Sequence, residues 1–272
     1  MPRSLFCLGA MIASVCAADW KDDVVFRAKF DGSLDATVGS ADRKLYSAPS
    51  YKELAAARAG LDGTDVSLAK GEGRSGDALR FAKKNEKAVF YRAQGNIPFD
   101  PKSWSGTLSF WLQLDPDQDL APGYCDPIQL TDKEYNDSAM WVDFTKDDKP
   151  RHFRLGVFGK LKEWNPTDIP PDKNPAFPQR LVIVKKTPFA RGKWTHVAIT
   201  YDKLGSGSGE GKLYLDGKLQ GTTPKITEGF EWNPANGTLR LGVNYVGLLD
   251  DVSVFRRPLT ANEVQALSSA KW

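Results

Sequence analysis

Two stretches of identical sequence, Glu163-Trp-Asn-Pro166 and Glu231-Trp-Asn-Pro234, give this 272-residue chain its plainest capacity for binding chemistry. An indole face stacks on the apolar face of a flat ligand such as a sugar ring, while neighbouring Asn and Glu supply orienting hydrogen bonds. Trp164 and Trp232 are therefore expected to form a shared platform, with Trp141, Tyr124 and Tyr245 as further ligand-binding aromatics. A Trp serves a core equally well, because so large a side chain usually buries most of its area. The expectation thus turns on whether the two rings share one exposed groove.

Groups suited to catalysis are sparse. The two histidines, His152 and His196, have no zinc spacing, and no Ser stands in a Gly-x-Ser-x-Gly elbow. His196, followed by Val197 and Ile199, reads as a hydrogen-bonded sheet histidine. Gly211-Lys212 fails as a phosphate loop because Leu213 follows where Ser or Thr is required. Cys7 and Cys16 lie near the start, which leaves Cys125 alone in the rest of the chain; with no His close in sequence it reads as a buried structural thiol. A disulfide framework is excluded. With 37 Lys and Arg against 34 Asp and Glu, the net charge of +3 points to neither nucleic acid nor an anionic membrane.

These residues need elements to hold them. Residues 1–18 carry Arg3, an apolar run too short to span a bilayer and small residues before Ala18, the pattern of a secretory signal peptide. The mature protein is then expected to be secreted, periplasmic or extracellular, with one domain over residues 19–272 and no membrane span. Val24, Phe26, Ala28 and Phe30 alternate with polar or smaller neighbours, as in a half-buried strand. Further strands are expected over 78–81, 88–91, 107–114, 128–130, 140–144 and 153–158, and a short helix over 51–59. Residues 162–180 hold five prolines, so neither a central strand nor a helix is expected there, but a surface excursion. Asp216-Gly217 signals a hairpin, 205–211 a flexible loop, and Thr260 with Glu263 a capping box for a terminal helix over 261–269. Short strands separated by turn residues argue an all-β sandwich or jelly roll.

The order Gly106-Thr-Leu-Ser-Phe-Trp-Leu112, Lys193-Trp-Thr-His-Val-Ala198, Lys212-Leu-Tyr-Leu-Asp-Gly217, Leu239-Arg-Leu-Gly242 and Gly247-Leu-Leu-Asp-Asp-Val-Ser-Val-Phe255 resembles the laminin-G-like jelly roll of the concanavalin-A-like lectin/glucanase superfamily. The resemblance implies two antiparallel sheets with a curved, often ligand-binding face, and relatives that mostly bind carbohydrate or protein. Glycosidases of the superfamily carry Glu-x-Asp-x-x-Glu, yet none of the nine Glu here has an Asp two residues later. The resemblance also implies a structural calcium ion, for which Asp31, Asp250 and Asp251 are the candidate ligands, Asp115-Pro-Asp-Gln-Asp119 being a weaker one.

The sequence therefore predicts a secreted, non-catalytic binding domain for carbohydrate or another extracellular polymer, its partner a glycan or an extracellular protein. Two alternatives stay open: a polysaccharide-cleaving enzyme with an atypical carboxylate site, and a structural or protein-interaction domain without a sugar site.

Overall fold

Hydrophobic alternation dominates the folding of this chain. In the computed structural model, which describes residues 20–63 and 65–271, the described residues are built mainly from antiparallel strands. The expected signal peptide at 1–18 lies outside the described residues. The strands are β1 Val24–Ala28, β2 Leu45–Ala48, β3 Arg58–Ala59, β4 Val66–Ala69, β5 Ala78–Phe81, β6 Ala88–Arg92, β7 Trp104–Gln113, β8 Cys125–Thr131, β9 Ala139–Phe144 and β10 Phe153–Phe158. They continue as β11 Leu181–Val184, β12 Thr195–Leu204, β13 Glu210–Leu215, β14 Lys218–Thr222, β15 Thr238–Val243 and β16 Gly247–Phe255. Helices are short: α1 Pro116–Asp119, α2 Leu161–Trp164, α3 Ala176–Gln179 and the C-terminal α4 Ala261–Ser269.

One sheet runs β14-β13-β12-β7-β16-β5-β4, with β1 paired to β16; the other runs β11-β10-β9-β8-β15-β6-β2-β3. Both are antiparallel throughout, and they face each other across one main core. Leu108, Phe110, Leu112 and Leu114 of the β7 region face that core, as the period of two requires. Phe26, Ala28 and Phe30 join them, but a register shift between Val24 and Phe26 turns Val24 away to pack with the α4 cluster instead.

Local signals act as their chemistry dictates. Thr260 caps α4 and Glu263 reaches back to complete the capping box. Asp216 and Gly217 both take positive φ, 47° and 75°, in the turn between β13 and β14. His196 is fully buried with Nε2 2.8 Å from Ser109 Oγ, and burial, then the nearby Arg74 charge, lowers its pKa to about 3. Cys125 is a buried free thiol.

Two expectations change. The 51–59 helix shrinks to one 3-10 turn, Leu54–Ala56, because β3 takes Arg58 and Ala59 as partners for β2. Residues 162–180 do form an excursion, but it contains α3 and the end of α2, each a single turn that its prolines permit. Among the described residues no helix is long and apolar enough to cross a membrane.

Candidate binding pocket

The outer face of the second sheet carries chemistry that its inner face cannot. Ile128 and Leu130 of β8, Met140, Val142 and Phe144 of β9, and Phe153, Leu155 and Val157 of β10 all point into the core. Alternation therefore turns Gln129, Trp141, Asp143 and Arg154 to the opposite face. Register makes them neighbours, with Arg154 opposite Asp143, Gln129 opposite Trp141 and Arg240 of β15 opposite Gln129.

Hydrogen bonds lock this polar floor. Arg154 Nε donates to Asp143 Oδ1 at 2.8 Å while Nη2 donates to Oδ2, a two-pronged charged pair. Gln129 Nε2 donates to Asp126, and its Oε1 accepts from Arg240 Nη1 at 3.3 Å. Arg240 Nη2 is held in turn by the Lys133 carbonyl at 2.7 Å. Among the described residues Asp126 makes no ion pair, so burial, then the Asp143 charge, pushes its carboxyl up to about 8 against the Gln129 bond and the Arg154 and Arg240 charges. Asp143 is also raised, by burial, with the Arg154 contact opposing.

Aromatic side chains rise around that floor. Gly156 stands opposite Trp141, and a Cβ there would come within 2.4 Å of the indole, so only glycine leaves the ring room to lie across β10. Trp141 Nε1 donates to the Tyr135 carbonyl at 2.7 Å, which fixes the ring in its plane. Phe158 and then Phe177 stack beside it, with interplanar angles of 16° to 21°. Phe177 belongs to α3, so the proline-rich excursion folds over this end of the sheet. Tyr124 covers Arg154, whose guanidinium lies 5.2 Å from its ring centroid. Between these groups a cavity of about 230 Å³ opens, walled by Tyr124, Tyr135, Trp141, Phe177 and Pro171 over Asp126, Gln129, Asp143 and Arg154. Of the rings in this wall Tyr124, 46% exposed, offers the accessible face for an amphipathic ring with hydroxyls on its rim, while Trp141, 2% exposed, backs it beside fixed donors and acceptors.

The residues expected to bind separate into two groups. Trp141 and Tyr124 line the cavity. Trp232 does not: it stacks on Phe99 at 4.8 Å and donates through Nε1 to the Ser138 carbonyl at 2.6 Å. Trp164 is half-buried against Phe158 and donates to the Asn136 carbonyl at 2.9 Å. The shared Trp164 and Trp232 platform is therefore not formed, because each indole is anchored to a backbone carbonyl in a different apolar cluster. The repeated tetrapeptides meet through their acids instead: Lys160 Nζ lies 2.9 Å from Glu231 and 3.7 Å from Glu163. Tyr245 is fully buried and donates to the Leu248 carbonyl at 2.9 Å, so it too is scaffold.

Asp126, Gln129, Tyr135, Asp143, Arg154 and Phe177 were not singled out by the sequence. A usable signal existed: Gln129, Asp143 and Arg154 are polar residues set between apolar neighbours within their strands.

The candidate calcium ligands lie on other elements. Asp250, fully buried in β16, accepts from Arg74 N at 2.8 Å and Asp251 N at 2.7 Å; burial, then the Asp251 charge, pushes it up to about 8. Asp251 pairs with Arg27 at 2.9 Å. The exposed Asp31 pairs with Lys29 at 3.1 Å and accepts from Asp77 N at 3.0 Å. Among the described residues no three His, Cys, Asp or Glu side chains are grouped as metal ligands. Asp115 caps α1 and Asp119 pairs with Arg191, so the acidic 115–119 segment is a capped turn.

Two antiparallel sheets packed face to face, with a pocket on an outer face, define a jelly-roll domain of the kind that carries binding sites. The chain belongs to the concanavalin A-like lectin/glucanases superfamily, whose Laminin_G_3 model matches residues 93–265. Among solved structures it is similar to domain 4 of AbnA, an extracellular arabinanase from Geobacillus stearothermophilus, in complex with arabinotriose, at 17% identity and TM-score 0.57, covering 91% of this chain and 98% of that one. It is also similar to the botulinum neurotoxin DC binding domain in complex with SialylT, at 11% identity and TM-score 0.58, covering 92% of this chain and 52% of that one. This chain thus spans about half the length of the toxin binding domains. No curated protein matches the sequence.

Proposed function

We propose that this protein is a non-catalytic carbohydrate-binding domain whose ligand sits in the outer-face pocket, against Tyr124 and Trp141 and over the Asp143–Arg154 and Gln129–Asp126 pairs. The observation that carries the reading is the combination of a flat, hydrogen-bonded indole with a locked polar floor in one cavity. The arabinotriose held by the AbnA domain supports the class of ligand and leaves its identity open. A glycan array probed with the mature protein tests the proposal, with Trp141→Ala as the control. Hits that the variant loses support it, and a folded protein that binds no glycan rejects it.

The polysaccharide-cleaving alternative rests on Asp126, a carboxyl kept protonated near neutrality beside Asp143, as a general acid would be. Asp143, however, is tied by Arg154 at both oxygens and is poorly free to act as base or nucleophile. Release of reducing sugar from any array hit would establish the alternative. Export through residues 1–18 is proposed on their composition, and N-terminal sequencing of secreted protein tests it by cleavage near Ala18.

We also propose a structural calcium ion near Asp31 and Asp250. Among the described residues Asp250 is a buried carboxyl without an ion pair, close enough to Asp31 to feel its charge, so a cation between them would offset the charge that burial disfavours at Asp250. The remaining ligands would be backbone carbonyls or water.

A further inference from the structure

The Trp141 ring lines the cavity and is nevertheless buried. Its indole lies across Gly156 of β10, and Phe177 stacks against it with 6.4 Å between centroids and 21° between planes. The same phenyl ring stacks on Phe158 at 5.2 Å and 16°. An apolar ring of this chain thus lies against the indole, nearly parallel to it, where a flat ligand ring would stack.

Phe177 comes from a segment that the rest of the protein scarcely holds. Between 166 and 179 only Asn174 and Phe177 are buried, with Pro171 half-buried. Asn174 bonds locally: its N–H donates to the Pro171 carbonyl, its Oδ1 accepts from Ala176 N at 3.0 Å, and its carbonyl accepts from Phe177 N at 3.0 Å. Asn165 likewise donates to the Ile169 carbonyl and accepts from its N–H. Among the described residues no hydrogen bond or ion pair joins 166–179 to anything outside 165–180. The two ends are fixed, by Trp164 Nε1 on the Asn136 carbonyl at 2.9 Å and by Arg180 on Glu228 at 2.7 Å. A stretch with exposed internal bonds and one apolar anchor opens far more readily than the sheet beneath it. Its five prolines stiffen it, so that it moves as a body.

From this attachment we infer that residues 165–179 are a lid latched by Phe177, which leaves the indole and lets a flat ligand ring take its place on Trp141. That the incoming ring is a sugar rests on the carbohydrate reading of this pocket; the lid itself does not. The open form is then the minor state, on the order of 0.1–10% of molecules. Closure lowers the apparent affinity by that fraction, and removing the latch restores it.

Fluorine NMR of the protein labelled with fluorotryptophan tests the lid without a ligand, the Trp141 resonance being assigned by its loss in Trp141→Phe. Relaxation dispersion and saturation transfer are expected to show a second state at Trp141 and at Trp164, which also touches Phe177, and none at Trp104 in the core. Phe177→Ala is expected to leave one state, with the Trp141 signal moved toward the minor one and more sensitive to exchange of water for heavy water. A single Trp141 state by both methods, or an unchanged solvent effect in a Phe177→Ala protein folded by circular dichroism, overturns the lid. Calorimetric titration of wild type and Phe177→Ala with arabino-, cello-, xylo- and chito-oligosaccharides of one to six units supplies the second readout. In any series that binds, a latch predicts affinity higher by about tenfold or more in the variant, whereas a fixed wall predicts weaker binding. Equal or weaker binding by the folded variant overturns the latch. Binding by no series, in a protein whose Trp141 shows the second state, overturns the carbohydrate reading and leaves the lid standing.

Discussion

Replacing Asp126 by Asn should flatten the pH dependence of stability in a defined window. Asp126 titrates near 8 in the folded protein, raised by burial first and by Asp143 second, whereas an unfolded Asp titrates near 3.9. Between those values the folded state holds a proton that the unfolded state has lost. Stability then falls as pH rises, by up to about 1.4 kcal/mol per pH unit, and the fall stops above the folded pKa. Asn imitates the protonated carboxyl at all pH values and lacks this slope. From pH 5 to pH 7 the variant should therefore gain on the wild type by up to about 2.8 kcal/mol, since folded Asp126 keeps its proton across this window. Urea unfolding at pH 5, 6 and 7, read by Trp fluorescence with a constant m-value, measures the difference. Wild-type and Asn curves that run parallel across this window would refute the raised carboxyl of Asp126.

Other perturbations separate pocket from scaffold. Gly156→Ala drives a methyl toward the Trp141 ring, 2.4 Å from its nearest atom, and should cut glycan affinity at least tenfold with the fold retained, as titration and circular dichroism would show. Trp232→Ala empties a packed core site and should cost about 3–5 kcal/mol in unfolding free energy, while the protein that remains folded binds glycan as before. Asp143→Asn breaks the pair with the mostly buried Arg154 and should lower both stability, by on the order of 3 kcal/mol, and binding. Calcium at millimolar concentration should raise the melting temperature over that in EDTA if an ion sits by Asp250; identical melting curves would reject the ion.

Much of the fold was legible because its signals are local. Alternation at Leu108, Phe110, Leu112 and Leu114, the Asp216-Gly217 turn and the Thr260 capping box each act within a few residues. The pocket was less legible because it is made by register. Nothing near Asp143 in sequence announces Arg154, 11 residues on, and nothing near Trp141 announces Gly156 or Phe177. The repeated Glu-Trp-Asn-Pro drew attention by its identity, yet identity served loop anchoring: both indole N–H groups find carbonyls of the 136–138 turn. Tyr124 and Trp141 were visible as aromatics, but which aromatics face a cavity depends on strand pairing that one sequence does not display.

Titration of the mature protein and its Trp141→Ala variant with the strongest glycan-array hit tests the central claim most directly. The pocket assignment predicts measurable binding by the wild type and a loss of at least tenfold, about 1.4 kcal/mol, in a variant that remains folded. Equal affinity in the two proteins would contradict it and move the ligand site off the outer face of this sheet.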